Sequence, residues 1–292
     1  MQDITERVVG CIESEKKVIN AAEALMENDS YERIIKEVGE IGWDRLVSVD
    51  PSLTLLQFKY DDVQLRKHYF SFRLQPDHPN TPPECILDIP EEFELSWSRK
   101  SCLLLGVRQI ETALQKYDSF WAILEDFDQN CWVIEPENPT RSSRSRRIAL
   151  DRYSSIIVDI DPKAPYRFCD FRFLGPDSVI EPLKEKLVNN AGRWVESILP
   201  RENLQTILGV EFLSKKQSAE MEEFHLECGI CYAKDRDGVI ADRSCDNVRC
   251  ARPFHSACLL EWLTSIPNCR RSFSTVFGTC PYCSTSITAT AQ

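Results

Sequence analysis

The sequence predicts an α+β protein of two strand-and-helix lobes in tandem, followed by a small cysteine-rich module. Three observations carry this. Aromatic and β-branched runs separated by polar turns lead into a long helical stripe, the same plan returns in shorter form after a Pro/Ser/Arg-rich connector, and eight of the thirteen cysteines crowd between Cys228 and Cys283. Strand runs that feed a helix make a sheet-plus-helix layer.

Taken in order, residues 1–29 form a helical segment, with Ile4, Val8, Cys11, Ile12, Val18, Ile19 and Ala22 loosely on one face. A second helix is predicted over 30–41, with Ser30 as candidate cap, Glu32 in the first turn, and Gly39 and Gly42 near the end. Its capping box is incomplete, because the residue three after Ser30 is Arg33. Strands follow at 53–60, 69–74 and 86–89, with a proline-rich turn over 76–83. Residues 101–127 read as one long helix, in which Leu105, Ile110, Leu114, Tyr117, Trp121 and Leu124 recur at steps of three to five. The connector 136–147 closes the first lobe, which spans 30–147. The second lobe, 148–214, has strands at 155–161 and 167–174 and helices at 178–188 and 201–208. Residues 215–224 are a charged linker, and 225–292 form the cysteine-rich module.

Composition narrows the function. With 42% hydrophobic and 28% charged residues, the 292-residue chain is an ordinary globular one. Its net charge of −11 disfavours direct nucleic-acid binding, which needs a surplus of Lys and Arg on some face. No apolar run is long enough to span a bilayer, and residues 1–20 carry charges throughout, so neither a membrane span nor a signal peptide is expected. A cytosolic or nuclear chain that meets other proteins fits best.

In a reducing compartment, crowded cysteines with C-x-x-C spacing indicate metal ligation rather than cross-linking. The candidates are Cys228, Cys231, Cys245, Cys250, His255, Cys258, Cys280 and Cys283, spaced C-x₂-C-x₁₃-C-x₄-C-x₄-H-x₂-C-x₂₁-C-x₂-C. Eight ligands in four pairs suit two Zn²⁺ ions, each closed by four protein ligands and therefore structural. Interleaving the pairs assigns Cys228, Cys231, His255 and Cys258 to one ion and Cys245, Cys250, Cys280 and Cys283 to the other. Cys269 is left over and has no histidine near it in sequence to activate a thiolate.

Ligand order alone does not separate a ubiquitin-ligase RING from a PHD-type reader of histone tails or from a non-catalytic zinc adaptor. The intervening residues favour RING. Ile230 lies inside the first pair, Trp262 stands four residues after Cys258, and Pro281 follows Cys280, the positions at which RING modules form a shallow apolar groove for a ubiquitin-conjugating enzyme. Tyr232 and Ser284, each just after a ligand pair, complete the candidate docking set. A PHD finger usually carries tryptophan two residues before its seventh ligand, where this chain has Gly278. Many RINGs place a basic residue at the position of Ser284 to clamp ubiquitin, so its absence predicts weak intrinsic activation and reliance on a dedicated conjugating enzyme.

The stretches CGICYA (228–233), CDNVRCARPFH (245–255), EWL (261–263) and RRSFSTVFGTCPYCSTSIT (270–288) resemble the C-terminal RING of the Fanconi anaemia group L family. EIGWDRL (40–46), FWAILEDFDQNCWVIEPENPTRSSRSRRIAL (120–150) and FLGPD (173–177) resemble that family's central substrate-binding region. The resemblance implies two RWD-like lobes before the RING and a RING-type E3 ubiquitin ligase without a covalent ubiquitin intermediate or a catalytic side chain of its own. It further implies a nuclear core complex with other Fanconi subunits, and monoubiquitination of the paired group D-two and group I substrates in the repair of DNA interstrand cross-links. Members of the family carry a further conjugating-enzyme-like domain at the N-terminus, so a short form or a truncation is expected here.

Three motifs need separate weighing. His78, Pro79 and Asn80 spell the HPN of conjugating enzymes, but Cys85 follows Asn80 by five residues where that family uses about eight, and a proline-bounded turn of an RWD lobe fits better. Arg141, Arg144, Arg146 and Arg147 could form a nuclear-localisation or phosphate-binding patch; a solvated connector is the simpler expectation. Trp132, Ile134, Phe168 and Leu174 are the candidate substrate contacts, on the expectation that they are exposed apolar side chains, with lobe core as the alternative.

Overall fold

The computed structural model describes residues 29–214, 226–267 and 269–290. The helix expected over 4–25 and the linker 215–224 lie outside these residues. Contacts divide the chain into two units, 1–118 and 119–292.

The first unit holds helix α1 (Asp29–Ile41), a 3₁₀ turn (Trp43–Arg45), strands β1 (Leu46–Val49), β2 (Leu55–Asp61), β3 (Lys67–Arg73) and β4 (Glu84–Leu87), and helix α2 (Leu103–Gln115). The strands form an antiparallel meander in the order β1-β2-β3-β4. Alternate residues of β2 and β3 face inward, and the register pairs Phe58 with Phe70 and Leu56 with Phe72. Phe58 and Phe70 accordingly stack with ring centroids 5.8 Å apart, and Phe72 meets both edge-on. Helix α2 lays Leu103, Val107, Ile110 and Leu114 on this core. Gly106 lets the helix come close, since a Cβ there would lie 3.1 Å from Phe72 Cζ.

The HPN tripeptide is structural in this lobe. His78 is buried with its Nε2 3.3 Å from Glu37 Oε2, and the Pro79 carbonyl accepts the Trp97 indole N–H at 2.8 Å. Burial pushes the Cys85 thiol up to about 12, so it stays protonated at neutral pH. Cys85 is a strand residue of β4.

The second unit begins its lobe with α3 (Asp118–Asn130), then β5 (Val133–Glu135), β6 (Ser145–Ala149), β7 (Ser155–Asp159), β8 (Asp170–Leu174), α4 (Asp177–Asn190), a 3₁₀ turn (Ala191–Arg193) and α5 (Pro200–Leu208). Its sheet is again an antiparallel meander, β5-β6-β7-β8. Phe120, Trp121, Ile123, Leu124 and Phe127 of α3 are buried, as are Ile148, Ile156, Val158 and Phe173 of the sheet.

Two expectations change here. The single helix over 101–127 is two helices. The break lies at Lys116 and Tyr117, whose N–H groups turn back to Ala113 and Leu114, and Asp118 starts the next helix with an acidic side chain at its N-terminus. The lobe boundary at 147/148 falls inside strand β6, and the stretch 136–147 is the β5–β6 loop together with the first half of β6 rather than a connector between lobes.

The arginines of that stretch are not a uniformly solvated run, although Arg144 is exposed and Arg141 half-buried. Arg146 and Arg147 are buried. Arg146 grips both carboxylate oxygens of Asp128 at 2.8 and 3.0 Å, and Arg147 donates to Glu135 at 2.9 Å and to Ser155 Oγ at 3.0 Å. Arg141 and Arg144 donate to Glu125 and Asp159. Each guanidinium is thus committed to a carboxylate within the lobe, which rules out a free basic patch.

The cysteine-rich module follows with hairpins β9 (Asp235–Arg236)/β10 (Val239–Ile240) and β11 (Arg243–Ser244)/β12 (Pro253–Phe254), helix α6 (Ser256–Ser265), and a three-stranded sheet of β13 (Arg270–Ser272), β14 (Thr275–Thr279) and β15 (Ser286–Thr290).

Candidate metal centre

Each ligand pair sits at a turn that its neighbours force. In the first knuckle the Cys228 N–H donates to Ala233 O at 3.0 Å and the Tyr232 N–H to Cys228 O at 2.8 Å. In the last the Cys280 N–H donates to Thr285 O at 2.8 Å and the Ser284 N–H to Cys280 O at 3.0 Å. Both knuckles end on a residue with positive φ, Tyr232 at 61° and Ser284 at 59°. Repeating one backbone design at two places aims each pair of sulfurs inward.

The interleaved grouping expected from the spacing is the one observed. Cys228, Cys231, His255 and Cys258 form one cluster and Cys245, Cys250, Cys280 and Cys283 the other, with the ligand atoms of each within 4.8 Å of one another. His255 Nδ1 lies 3.4 Å from Cys231 Sγ and 3.7 Å from Cys258 Sγ. In the second cluster, Cys245 and Cys283 sulfurs are 3.4 Å apart and those of Cys250 and Cys280 3.9 Å. A tetrahedron with metal–sulfur bonds of about 2.3 Å has sulfur–sulfur edges of about 3.8 Å. The donors therefore fit two four-coordinate ions, and sulfur with imidazole suits zinc.

Local donors favour the thiolate at one cysteine of each cluster, whereas burial, joined by neighbouring sulfurs, pushes Cys245, Cys250 and Cys258 up. Burial pushes Cys228 up, but N–H groups of Cys231, His255 and Ile230 outweigh it and bring its pKa down to about 7. At Cys283 the Thr285 hydroxyl, joined by the Thr285 N–H, brings it down to about 6. Cys269 belongs to neither cluster and packs half-buried against the module's core.

Around the clusters the predicted docking residues divide. Tyr232 is 70% exposed and Trp262 41%, Pro281 and Ser284 are exposed, and Ile230 is half-buried against the core. Gly278 has no room for the tryptophan of a PHD finger: a Cβ there would lie 2.6 Å from Leu263 Cδ2.

The sequence reading missed Tyr282. Its hydroxyl donates to Gly229 O at 2.5 Å, tying the two knuckles together, and the Arg252 guanidinium stacks 4.5 Å from its ring centroid. Gly229 is required by crowding, since a Cβ would lie within 3.0 Å of Arg252, Tyr282 and Phe254 atoms. The signal was present in the C-P-Y-C and C-G-I-C pairs, but only the fold brings the two together.

A cleft of about 920 Å³ is lined by Trp132, Ile134, Glu135 and Arg147 of the lobe and by Gly229, Tyr232 and Arg252 of the module, among others. Phe168 lies elsewhere, on an aromatic cluster with Phe171 and Trp194 at centroid distances of 5.3 and 5.1 Å. Trp132 and Ile134 are half-buried rather than exposed, and Leu174, at the end of β8 and only 5% exposed, is lobe core rather than a contact surface.

Two meander-and-helix lobes joined to a module with two interleaved donor clusters, each able to hold a metal ion, form the layout of a ubiquitin ligase. Family models agree across almost all of the described chain: FANCL UBC-like domain 2 matches residues 28–117, FANCL UBC-like domain 3 residues 119–215, and the FANCL C-terminal domain residues 224–292. The chain is 39% identical over 255 residues to the mouse E3 ubiquitin-protein ligase FANCL, covering 87% of this chain and 68% of the mouse protein. It is 22% identical over 253 residues to the Drosophila melanogaster E3 ubiquitin-protein ligase Fancl, covering 82% of this chain and 65% of that one. A crystal structure of FANCL shares the fold, with a TM-score of 0.64 at 20% identity over 90% of this chain and 71% of that chain. The chain belongs to the FANCL family of E3 ubiquitin-protein ligases and is an E3 ubiquitin transferase.

Proposed function

We propose that the C-terminal module, holding two zinc ions, docks a ubiquitin-conjugating enzyme through Ile230, Tyr232, Trp262, Pro281 and Ser284. The second lobe holds the substrate through Trp132 and Ile134, with Phe168 as a separate contact. The observation that supports this best is the shared cleft: Trp132 and Ile134 line it from the lobe side and Tyr232 from the module side. A bound substrate would lie beside the arriving thioester.

In this reading the substrate lysine amine attacks the thioester carbonyl on the conjugating enzyme, an isopeptide bond forms, and that enzyme's cysteine thiolate leaves. The ligase contributes proximity and orientation. Burial pushes Cys131 and Cys169 up to about 12, like Cys85, so none of these thiols competes as a nucleophile. Zinc, when bound, supplies structure alone, because four protein ligands leave no open position.

By family, the substrates are the group D-two and group I pair, each receiving a single ubiquitin within a nuclear core complex that repairs interstrand cross-links. The exposed Ser284, with no cation to clamp ubiquitin, agrees with single transfer by a dedicated conjugating enzyme.

Ubiquitin discharge from the charged conjugating enzyme tests the docking surface. Ile230→Ala and Trp262→Ala are expected to lose at least ten-fold in rate while retaining two zinc ions per chain. Normal discharge by both zinc-loaded variants would defeat the assignment.

A further inference from the structure

The hairpin β9–β10 carries a residue that the ligase reading does not use. Its turn, Asp237 and Gly238, has positive φ at both positions (56° and 76°), the geometry of a tight type I′ hairpin, and the Gly238 N–H donates to Asp235 Oδ1 at 3.0 Å. Arg236 is therefore held directly before the turn, paired with Val239 across the ladder. From there its guanidinium donates to Cys258 Sγ at 3.0 Å and to Glu261 Oε1 at 3.3 Å. Cys258 and Glu261 lie three residues apart on α6, so one planar donor fork spans a ligand sulfur and a carboxylate on the same helical face.

We propose that Arg236 is an outer cation of the first metal site, engaging the Cys258 sulfur and shielding it from electrophiles. A sulfur lone pair engaged by a guanidinium is less available to them. The two sites differ in this respect. Sulfurs of the second cluster receive N–H groups of Asn247, Arg252 and Thr285 and the Thr285 hydroxyl, with no cation at hydrogen-bond distance among the described residues. Arg236 and Glu261 are both well exposed, and an exposed ion pair contributes little by itself. Its contact with sulfur therefore gives Arg236 its role, and Glu261 serves to aim the guanidinium.

This inference rests on the reading of both clusters as zinc sites, so zinc content of the full chain is measured first, with two ions per chain expected. Release of zinc to a chromogenic chelator is then followed during titration with a thiol-alkylating reagent. Arg236→Ala is expected to release one of its two ions about ten-fold faster than wild type, in line with the loss of an outer-shell partner, and to leave the other ion unchanged. Arg236→Lys, which keeps the charge, should fall between, and Glu261→Gln, whose amide oxygen still accepts from the guanidinium, should release at the wild-type rate. Should Arg236→Ala not fold, Arg236→Gln takes its place. Unchanged release, equal acceleration of both ions, or an equal effect from Glu261→Gln would overturn the role given to Arg236. A wild-type chain lacking two zinc ions would instead remove the site reading and this inference with it.

Discussion

The lobes and the cysteine-rich module solve the same folding problem by different means. Each lobe closes a four-stranded meander with helices over a core of large side chains, Phe58, Phe70 and Phe72 in the first and Phe120, Trp121 and Phe127 in the second. In the module four of the eleven residues in the buried cluster are ligand cysteines, and Phe254, Leu259, Leu263, Val276 and Ile287 supply most of the apolar remainder. So little apolar surface cannot offset the entropy of ordering the module. The lobes stand on burial, whereas the module's small core calls for the coordination that its two donor clusters can supply.

The largest test of that contrast removes the metal. Strong chelation, or Cys258→Ser, is expected to unfold the module, because each structural zinc contributes on the order of 10 kcal/mol of folding free energy. Hydrogen exchange should show protection lost across 226–290 and retained in β2, β3 and α3. Protection surviving in β14 and β15 of a metal-free chain would show that the small core suffices.

A smaller effect is expected where a lobe departs from its own rule. Glu37 is a buried carboxylate that accepts from Arg33 at 3.1 Å and from the Leu103 N–H at 2.9 Å, the first residue of α2, with His78 at 3.3 Å. It therefore ties α1 to the start of α2. Removing it leaves a buried histidine and a helix N-terminus without their partner, so Glu37→Ala should cost about 3 kcal/mol in urea unfolding of the lobe with zinc content unchanged. In the module, Gly278→Ala should cost about 2 kcal/mol through overpacking against Leu263. A neutral result would mean that Leu263 can move aside, and that the module's core is looser than its distances suggest.

The same contrast explains what was legible in the sequence. Coordination is written in spacing, so all eight candidate ligands and their interleaved grouping into two clusters could be read directly. Burial is written in periodicity, which located β2, β3, α4 and α5 to within a few residues but failed where an element serves two neighbours. The stripe through 101–127 was continuous, yet Asp118 and Ser119 carried a start signal in its middle that periodicity overrode. Arg146 and Arg147 looked like a solvated run because their carboxylate partners, Asp128 and Glu135, are 18 and 12 residues away in sequence. Leu174 looked like Trp132 and Ile134 as an apolar residue of the sheet, and only the fold separates a buried side chain from two half-buried ones. Tyr282 and Arg236 act across hairpins and metal loops, a relation that no local pattern encodes.

Acid sharpens the comparison with the smallest effect. Metal binding needs deprotonated sulfur, so the module should lose order at mildly acidic pH, while the lobes hold until their carboxylates protonate. Asp50 reports the lobe side. Burial pushes its pKa up, but the Ser52 hydroxyl, the Leu55 N–H and the Thr54 hydroxyl and N–H outweigh this and bring it down to about 2 from an ordinary 3.8. A carboxylate with a lowered folded pKa stabilises fully above its unfolded value, and that contribution fades as pH falls from 3.8 through about 2. The stability difference between wild type and Asp50→Asn, from urea unfolding of the first lobe, should be constant down to about pH 4 and shrink below it. A difference independent of pH would assign the β1–β2 loop to shape rather than charge. A module that outlasted this loop in acid would reverse the order that coordination and burial impose.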